Sequence, residues 1–190
     1  MAWAKAADVT RPWRSELRIG IAEILRDLLS PPLRILELGP GPGLLAEALL
    51  ATCVVDSYIL FDFSQPFLDM CRDRVGKSAA AQFVLGDFTL PDWPTLLDPP
   101  FDAVVSMQSV HEVRHKRHVA ALYRQVLPLL RPDGLYIVCD HMPREDDPRS
   151  VALHSTEAEQ HRAMNSAGFV GVTTQVLLHG MYVCLGLRPR

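Results

Sequence analysis

The stretch from Leu33 to Gly43, LRILELGPGPG, decides how this chain folds. Its first half is an apolar run, which predicts a strand buried on both faces of a parallel sheet. Gly39, Gly41 and Gly43 then predict a sharply turning loop with bare main chain, because glycine adopts backbone angles that other residues resist. The apolar segment 44–51 predicts a helix after the loop, whose first N–H groups would face a ligand. The stretch therefore indicates a site for a nucleotide-like cofactor.

Strands and helices alternate along the rest of the chain. The predicted strands are Leu33–Leu38, Tyr58–Phe63, Ala81–Leu85, Phe101–Met107, Leu135–Cys139, Val172–Leu178 and Met181–Leu187. Helical periodicity between them and a tight turn at His179-Gly180 predict an α/β fold. We expect a doubly wound, Rossmann-like sheet of seven strands, mostly parallel, with one antiparallel strand in a C-terminal hairpin. Residues 33–190 would form the cofactor-binding domain, and residues 1–32 a helical segment packed on it, as one domain overall.

Composition narrows the class of protein. A length of 190 residues suits one domain with a full core, and a net charge of −3 argues against general nucleic-acid binding. Four scattered cysteines without C-x-x-C spacing indicate reduced thiols, and the charged N-terminus lacks the apolar core of a signal peptide. No apolar run approaches the roughly 18 residues that a membrane span needs. We therefore expect a cytoplasmic protein without a membrane partner, and the sequence leaves its oligomeric state open.

Two nucleotide cofactors compete for the glycine loop. The run 41–46 satisfies the dinucleotide pattern G-x-G-x-x-G/A, and Asp62 follows at about 20 residues, so an NAD(P)-dependent oxidoreductase is one alternative. Two features argue against that alternative. Glu37 would place a carboxylate near a cationic group rather than a pyrophosphate, and Pro40 and Pro42 lack the N–H groups that would cradle a phosphate.

Several motifs together resemble the class I S-adenosylmethionine-dependent methyltransferase family. The run 37–43 resembles the family's first motif, E/D-x-G-x-G-x-G, and Asp62 is similar to the acid that binds both ribose hydroxyls. Gly86-Asp87-Phe88 resembles the family's adenine-binding turn. The turn 130–134 resembles its L-(K/R)-P-G-G turn, with Asp133 in place of the first glycine. These motifs occur in the family's order over nearly the whole chain.

The resemblance implies S-adenosylmethionine as the cofactor and S-adenosylhomocysteine as the product. The residues that it places around the cofactor are Glu37, Gly39, Pro40, Gly41, Gly43, Asp62, Phe63, Asp87, Phe88 and Gln108. The acids in this set argue against a non-catalytic, methyltransferase-like scaffold. The lack of an unambiguous catalytic base nevertheless keeps the scaffold open as an alternative.

Two histidines are the candidate bases for methyl transfer to a small-molecule acceptor at O, N or C. His111 follows the fourth predicted strand and His141 the fifth, and ligands of doubly wound sheets lie beyond these strand ends. In-line displacement at carbon chiefly requires alignment, and a base helps when the acceptor carries a proton. We expect His111 first and His141 second to be catalytic. The N-terminal helix with Trp3 and Trp13 is a candidate cover for the pocket, although ordinary packing is the simpler explanation of both residues.

A second motif in the same loop suggests a metal. The run His111-Glu112-Val113-Arg114-His115 matches H-E-x-x-H, the zinc signature of metalloproteases. That signature needs a continuous helix, which brings both imidazoles to one face. Here the run comes directly after a strand, and the basic side chains of Arg114, Lys116 and Arg117 disfavour a dication. We therefore expect no metal.

Overall fold

A computed structural model describes residues 11–190, so that Trp3 lies outside the described residues. The strands are β1 (Leu33–Leu38), β2 (Val55–Asp62), β3 (Ala81–Leu85), β4 (Phe101–Met107), β5 (Leu130–His141), β6 (Val170–Leu178) and β7 (Met181–Leu187). The helices of the described residues are α1 (Trp13–Leu28), α2 (Leu44–Thr52), α3 (Gln65–Val75), α4 (Val119–Val126), α5 (Pro148–Leu153) and α6 (Glu157–Ala167). No helix within residues 11–190 is long and apolar enough to cross a membrane.

The seven strands form one sheet in the order β3-β2-β1-β4-β5-β7-β6. Strands β1 to β5 pair in parallel, whereas β7 runs antiparallel to both of its neighbours. The predicted fold, with its single reversed strand in a C-terminal hairpin, is confirmed. The chain moves outward from β1 to β3 and then returns to place β4 beside β1, so the order of strands reverses between β1 and β4. Ligands of doubly wound folds bind at the carboxyl ends of the strands at such a reversal.

Helices cover both faces of the sheet because successive strand residues point to opposite sides. Ile35 of β1 belongs to a core cluster that includes Leu17 and Ile21 of α1. Its neighbour Leu36 belongs to a second cluster, on the other face, that includes Tyr123 of α4. Helix α1 thereby packs against the sheet and brings its own side chains close to the carboxyl ends of the central strands.

Differences from the predicted elements have local causes. Apolar residues continue at helical spacing from α4 to Leu130, but the helix ends at Val126, because Pro128 has no N–H group and the chain tightens into a 3-10 turn over Leu127–Leu129. Helix α5 lies between β5 and α6, where the sequence pattern predicted no element. The side chain of Asp147 caps α5 by accepting hydrogen bonds from the N–H groups of Arg149 and Ser150. This short helix contributes to the second cavity described below.

Candidate active site

A cavity of about 290 Å³ opens at the carboxyl ends of the central strands. Eight of the ten residues predicted to surround a cofactor line this cavity: Glu37, Gly39, Pro40, Gly41, Asp62, Phe63, Phe88 and Gln108. We call it the cofactor cavity. Gly43 and Asp87 are the two that do not line it. The topology therefore gathers residues from the ends of β1, β2, β3 and β4 around one space.

The glycine loop after β1 has a conformation that favours glycine. Gly39, Gly41 and Gly43 have φ values of +66°, +54° and +79°. A Cβ atom on Gly39 would lie 2.5 Å from the Cβ of Ser109, which is a clash. A Cβ atom on Gly41 would meet nothing within 4 Å. Gly39 is therefore required by protein packing, whereas Gly41 leaves main chain open to the cavity.

Helix α3 holds the glycine loop from behind. The thiol of Cys71 donates to the carbonyl of Gly41 at 3.1 Å, and Nε of Arg74 donates to the carbonyl of Pro42 at 2.8 Å. The guanidinium of Arg74 also pairs with Glu47 of α2 at 2.8 Å. The loop is thus preorganised for a ligand, since helix α3 donates hydrogen bonds to its carbonyls at Gly41 and Pro42.

Glu37 is an acid that burial makes weak. Its side chain is 1% exposed, and Oε2 accepts a hydrogen bond from the hydroxyl of Tyr58 at 2.7 Å. Burial raises the pKa of Glu37 to about 7; the hydrogen bond from Tyr58 opposes this rise, and the nearby charge of Asp62 adds to it. A cation in the cofactor cavity would stabilise the ionised carboxylate and bring this pKa down.

Asp62 ends β2 beside the glycine loop. Its Oδ2 accepts from the N–H of Gly41 at 3.2 Å and its Oδ1 from the N–H of Ser64 at 2.9 Å. Burial raises the pKa of Asp62, and the two backbone hydrogen bonds oppose that rise. The next residue, Phe63, lines the cavity with 58% of its surface exposed. A buried carboxylate that accepts hydrogen bonds, next to an exposed aromatic ring, suits a nucleoside, whose ribose carries hydroxyls and whose nucleobase is planar.

Asp87 and Phe88 have different roles in the turn after β3. Both the N–H and the hydroxyl of Thr89 donate to Oδ1 of Asp87, at 2.8 and 2.7 Å. Asp87 therefore braces the turn, whereas Phe88 is buried and lines the cofactor cavity. The local sequence does not show whether Asp87 braces the turn or binds a ligand, because an acid with either role would stand at this position.

Backbone strain marks the end of β4. Gln108 has a φ of +59°, which is uncommon for a residue other than glycine. Its N–H donates to the carbonyl of Cys139 at 2.7 Å, and its side-chain amide contacts Sδ of Met181 at 3.1 Å. These contacts with β5 and β7 hold a conformation that commonly occurs at functional sites.

His111 and Asp140 form a close pair beyond the ends of β4 and β5. Nδ1 of His111 lies 2.9 Å from Oδ1 of Asp140, and the backbone N–H of His111 donates to Oδ2 at 3.2 Å. Asp140 is 3% exposed and also accepts from the N–H of His141 at 2.8 Å. With Nδ1 donating to the carboxylate, Nε2 of His111 is left as the proton acceptor. The two residues therefore have the arrangement of a base and its orienting acid.

Two further histidines surround this pair. The ring centroid of His111 lies 5.0 Å from that of His154 and 6.2 Å from that of His141. Burial lowers the pKa of His111, but the hydrogen bond and charge of Asp140 outweigh it, so that this pKa is raised overall. Burial lowers the pKa of His141 and that of His154. Of the three imidazoles in the cluster, that of His111 is therefore the one favoured to carry an additional proton.

The H-E-x-x-H run does not form a zinc site of the metalloprotease type. Residues 110–113 form a 3-10 turn that ends at Arg114, which has a φ of +64°. His115 therefore does not follow His111 on one helix face, and its Nδ1 accepts from the N–H of Arg117. Ligand atoms of His111, Asp140 and His154 do lie within 4.8 Å of one another. The carboxylate of Asp140 already pairs with Nδ1 of His111 there, and a metal-free site stays our prediction.

Several residues of these sites were not among the predicted site residues, and four of them bear on the proposed chemistry. Arg14 and Arg18 of α1 line the cofactor cavity, and Asp140 and His154 belong to the histidine cluster. An acid at the end of a strand next to that of His111 was a usable signal for Asp140. Nothing in the sequence indicated Arg14, Arg18 or His154, because their positions depend on how α1 and α5 dock.

Comparison with known proteins defines the family. The family described as "Methyltransferase domain" matches residues 35–134, which include the glycine loop and β4. The chain belongs to this family and is a class I S-adenosylmethionine-dependent methyltransferase, as its motifs indicated. This membership favours methyl transfer over the nicotinamide alternative. No curated protein sequence matches the chain.

Solved structures share the fold at low sequence identity. A putative O-methyltransferase from Nostoc punctiforme is 17% identical with a TM-score of 0.76, and the match covers 97% of this chain and 59% of that one. Human N-acetylserotonin methyltransferase in complex with SAM is 16% identical with a TM-score of 0.71, over 96% and 54% of the two chains. A putative methyltransferase from Haloferax volcanii, in complex with the Trm112 activator, is 17% identical with a TM-score of 0.73, over 100% and 95%. The chain thus spans little more than half of the first two proteins.

Replacing Glu37 with Gln is expected to stabilise the ligand-free protein at high pH. In the folded protein, the pKa of Glu37 is raised from 4.5 to about 7. The contribution of this carboxyl to the free energy of unfolding is therefore fully present below pH 4.5 and is lost as the pH rises through about 7. Thermal unfolding should show E37Q melting above wild type at pH 8 and level with it near pH 4. The control E23Q alters an exposed acid of α1 and should match wild type at both values. Equal melting of E37Q and wild type at pH 8 would contradict a buried charge at Glu37.

Replacing Gly41 with Ala is expected to block the cofactor cavity without disturbing the fold elsewhere. Gly180 is a matched control, because it also has a positive φ, of +73°, and its Cβ would also meet nothing within 4 Å. Both variants should lose about 1–2 kcal/mol of stability to the left-handed backbone. Calorimetric titration should show weaker binding of S-adenosylhomocysteine to G41A alone. Equal loss of affinity in G41A and G180A would mean that Gly41 does not face the ligand.

Proposed function

We propose that this protein moves a methyl group from S-adenosylmethionine to a small-molecule acceptor by in-line displacement, with His111 as the base. The observation that carries the proposal is the His111–Asp140 pair, whose neighbours in the chain and in space line two different cavities. Gln108 and Glu112, which flank His111 in the chain, line the cofactor cavity. His141 and His154, whose rings adjoin that of His111, line a second cavity of about 550 Å³. We call this second space the acceptor cavity.

The cofactor cavity suits each part of S-adenosylmethionine. Asp62 has a buried carboxylate for the ribose hydroxyls, and Phe63 offers an exposed ring to the adenine. Glu37 would balance the positive end of the cofactor, and the pKa that burial raises would fall on binding. Arg14 and Arg18 bring positive charge to the same cavity, where the cofactor's carboxylate requires it. The open main chain at Gly41 lets the cofactor approach without a phosphate.

The proposed reaction needs one proton acceptor. The cofactor supplies an electrophilic methyl group on a sulfonium. The acceptor's O, N or C atom forms a bond to that methyl carbon while the carbon–sulfur bond breaks. The electron pair of the carbon–sulfur bond stays on sulfur. Nε2 of His111 takes the proton that the acceptor loses, and the charge of Asp140 stabilises the resulting imidazolium. His141, whose pKa burial lowers, stays neutral and is proposed to orient the acceptor.

Domain organisation, compartment and acceptor class complete the proposal. We propose residues 33–190 as the cofactor-binding domain, with residues 1–32 packed on it. All four cysteines are free thiols, which supports a reducing compartment such as the cytoplasm. The net charge of −3 supports a small molecule rather than a nucleic acid as the acceptor.

Replacing Asp62 with Asn is expected to weaken S-adenosylhomocysteine binding by roughly 10- to 100-fold, because a charged hydrogen-bond acceptor contributes about 1.5–3 kcal/mol. Calorimetric titration measures the loss, with NAD as a parallel ligand. The control D56N changes an exposed acid near the start of the same strand and should bind like wild type. Unchanged binding in D62N would remove Asp62 from the site. Binding of NAD in place of S-adenosylhomocysteine would overturn the proposed function.

Replacing Asp140 with Asn is expected to lower the pKa of His111. The hydrogen bond and the charge of Asp140 both raise that pKa, so their loss leaves burial to lower it. An NMR titration of the imidazole signals should show His111 accepting its proton at a lower pH in D140N than in wild type. The control D146N changes an exposed acid in the connection after β5 and should leave the titration in place. A pKa of His111 that is unaltered in D140N would contradict the proposed pair.

A further inference from the structure

The acceptor cavity has a positively charged wall. Three arginines line it, namely Arg11, Arg144 and Arg149, against one acid, Asp147. The carboxylate of Asp147 is already used, since it caps α5 and pairs with Arg144. The neighbouring acids Glu145 and Asp146 do not line the cavity. The net charge that a bound molecule meets is therefore positive.

Two of the arginines retain their charge for a ligand. Within residues 11–190, neither Arg11 nor Arg149 has an ion pair with another side chain, and both are exposed. Arg149 lies in the first turn of α5, on the same short helix whose end leads to His154. Its guanidinium is thus on the element that also brings a histidine to the cluster around His111.

An aromatic face completes the cavity. Trp13 of α1 and His179 of the turn before β7 both line it, and their rings stack with centroids 5.3 Å apart and planes at 28°. Trp13 is half-buried, so this stack forms part of the wall rather than of the core. Such a pair of rings favours a planar ligand, which can extend the stack or contact its edge, because aromatic rings prefer stacked and edge-to-face arrangements.

We propose that the acceptor is a planar organic anion, bound by Arg11 and Arg149 and lying against Trp13 and His179, with its methylated atom towards His111. The inference rests on the proposed function, since it names the substrate class of that same site. A volume of about 550 Å³ is in the range of sites for small organic molecules. Positive charge at one end and a base at the other would set the orientation of the acceptor.

The test compares two probes of nearly the same shape, one charged and one neutral. 2-Naphthoate and 2-naphthamide have the same planar ring, and only the first is an anion. Calorimetric titration into protein loaded with S-adenosylhomocysteine should show tighter binding of naphthoate, and rising salt should reduce that difference. Because an exposed ion pair contributes up to about 1 kcal/mol, R149Q should weaken naphthoate by up to about fivefold and leave naphthamide unchanged. The double variant R11Q/R149Q should remove the preference.

The control is R26Q, which removes an exposed arginine from the last turn of α1 and should behave like wild type. Naphthoate that binds no more tightly than naphthamide would overturn the proposal, as would equal naphthoate affinity in wild type and the double variant. NMR shifts of His154 and His179 on naphthoate binding locate the probe, and shifts confined to other histidines would also overturn it. Titration of S-adenosylhomocysteine alone tests the proposed function separately. Its failure with an intact naphthoate preference would leave an anion site without the proposed cofactor chemistry.

Discussion

The absence of a side chain at Gly39 is the constraint on which the rest of the site depends. A Cβ atom on Gly39 would lie only 2.5 Å from the Cβ of Ser109, which follows β4. The hydroxyl of Ser109 donates to the carbonyl of Leu38. This contact brings the loop after β1 against the loop after β4, at the point where the strand order reverses. The same approach places Gln108 and Glu112 on the wall of the cofactor cavity and positions His111 just beyond it. A larger residue at Gly39 would separate the two loops.

Burial of acids is the energetic cost of this site. Glu37 and Asp62 are almost fully buried next to each other, and burial raises the pKa of both. The fold tolerates this because the hydroxyl of Tyr58 and the N–H groups of Gly41 and Ser64 satisfy the carboxylates. A cationic ligand would offset the remaining cost, so the ligand-free protein is less stable than it would be with neutral residues. Sites that are built for a charged ligand commonly have this trade-off.

Adjacent parallel strands explain why base and acid meet. Strands β4 and β5 end side by side, so His111 after one and Asp140 at the end of the other come within hydrogen-bond distance. Docking of α5 adds His154, which follows it, and docking of α1 adds Trp13 together with Arg11, which precedes the helix. Under the proposed function, the ends of the central strands supply the base and its orienting acid, and the peripheral helices supply much of the wall that faces the acceptor. Helix α1 contributes to both cavities, since its Arg14 and Arg18 line the cofactor cavity and its Trp13 the acceptor cavity.

The sequence by itself determined the sheet, the glycine loop and eight of the residues that line the cofactor cavity, because these follow from local patterns. Apolar runs define strands, alternate glycines define a loop, and residues at the ends of successive parallel strands meet at one edge. The tertiary structure alone decided that Asp87 braces its turn, that Arg14 and Arg18 reach the cofactor cavity, and that His154 joins His111. Most of these contacts join residues that are far apart in the chain. Asp87 is the exception, because its carboxylate can bond either to its own turn or to a ligand. The other contacts depend on how helices dock onto the sheet, which local periodicity does not encode.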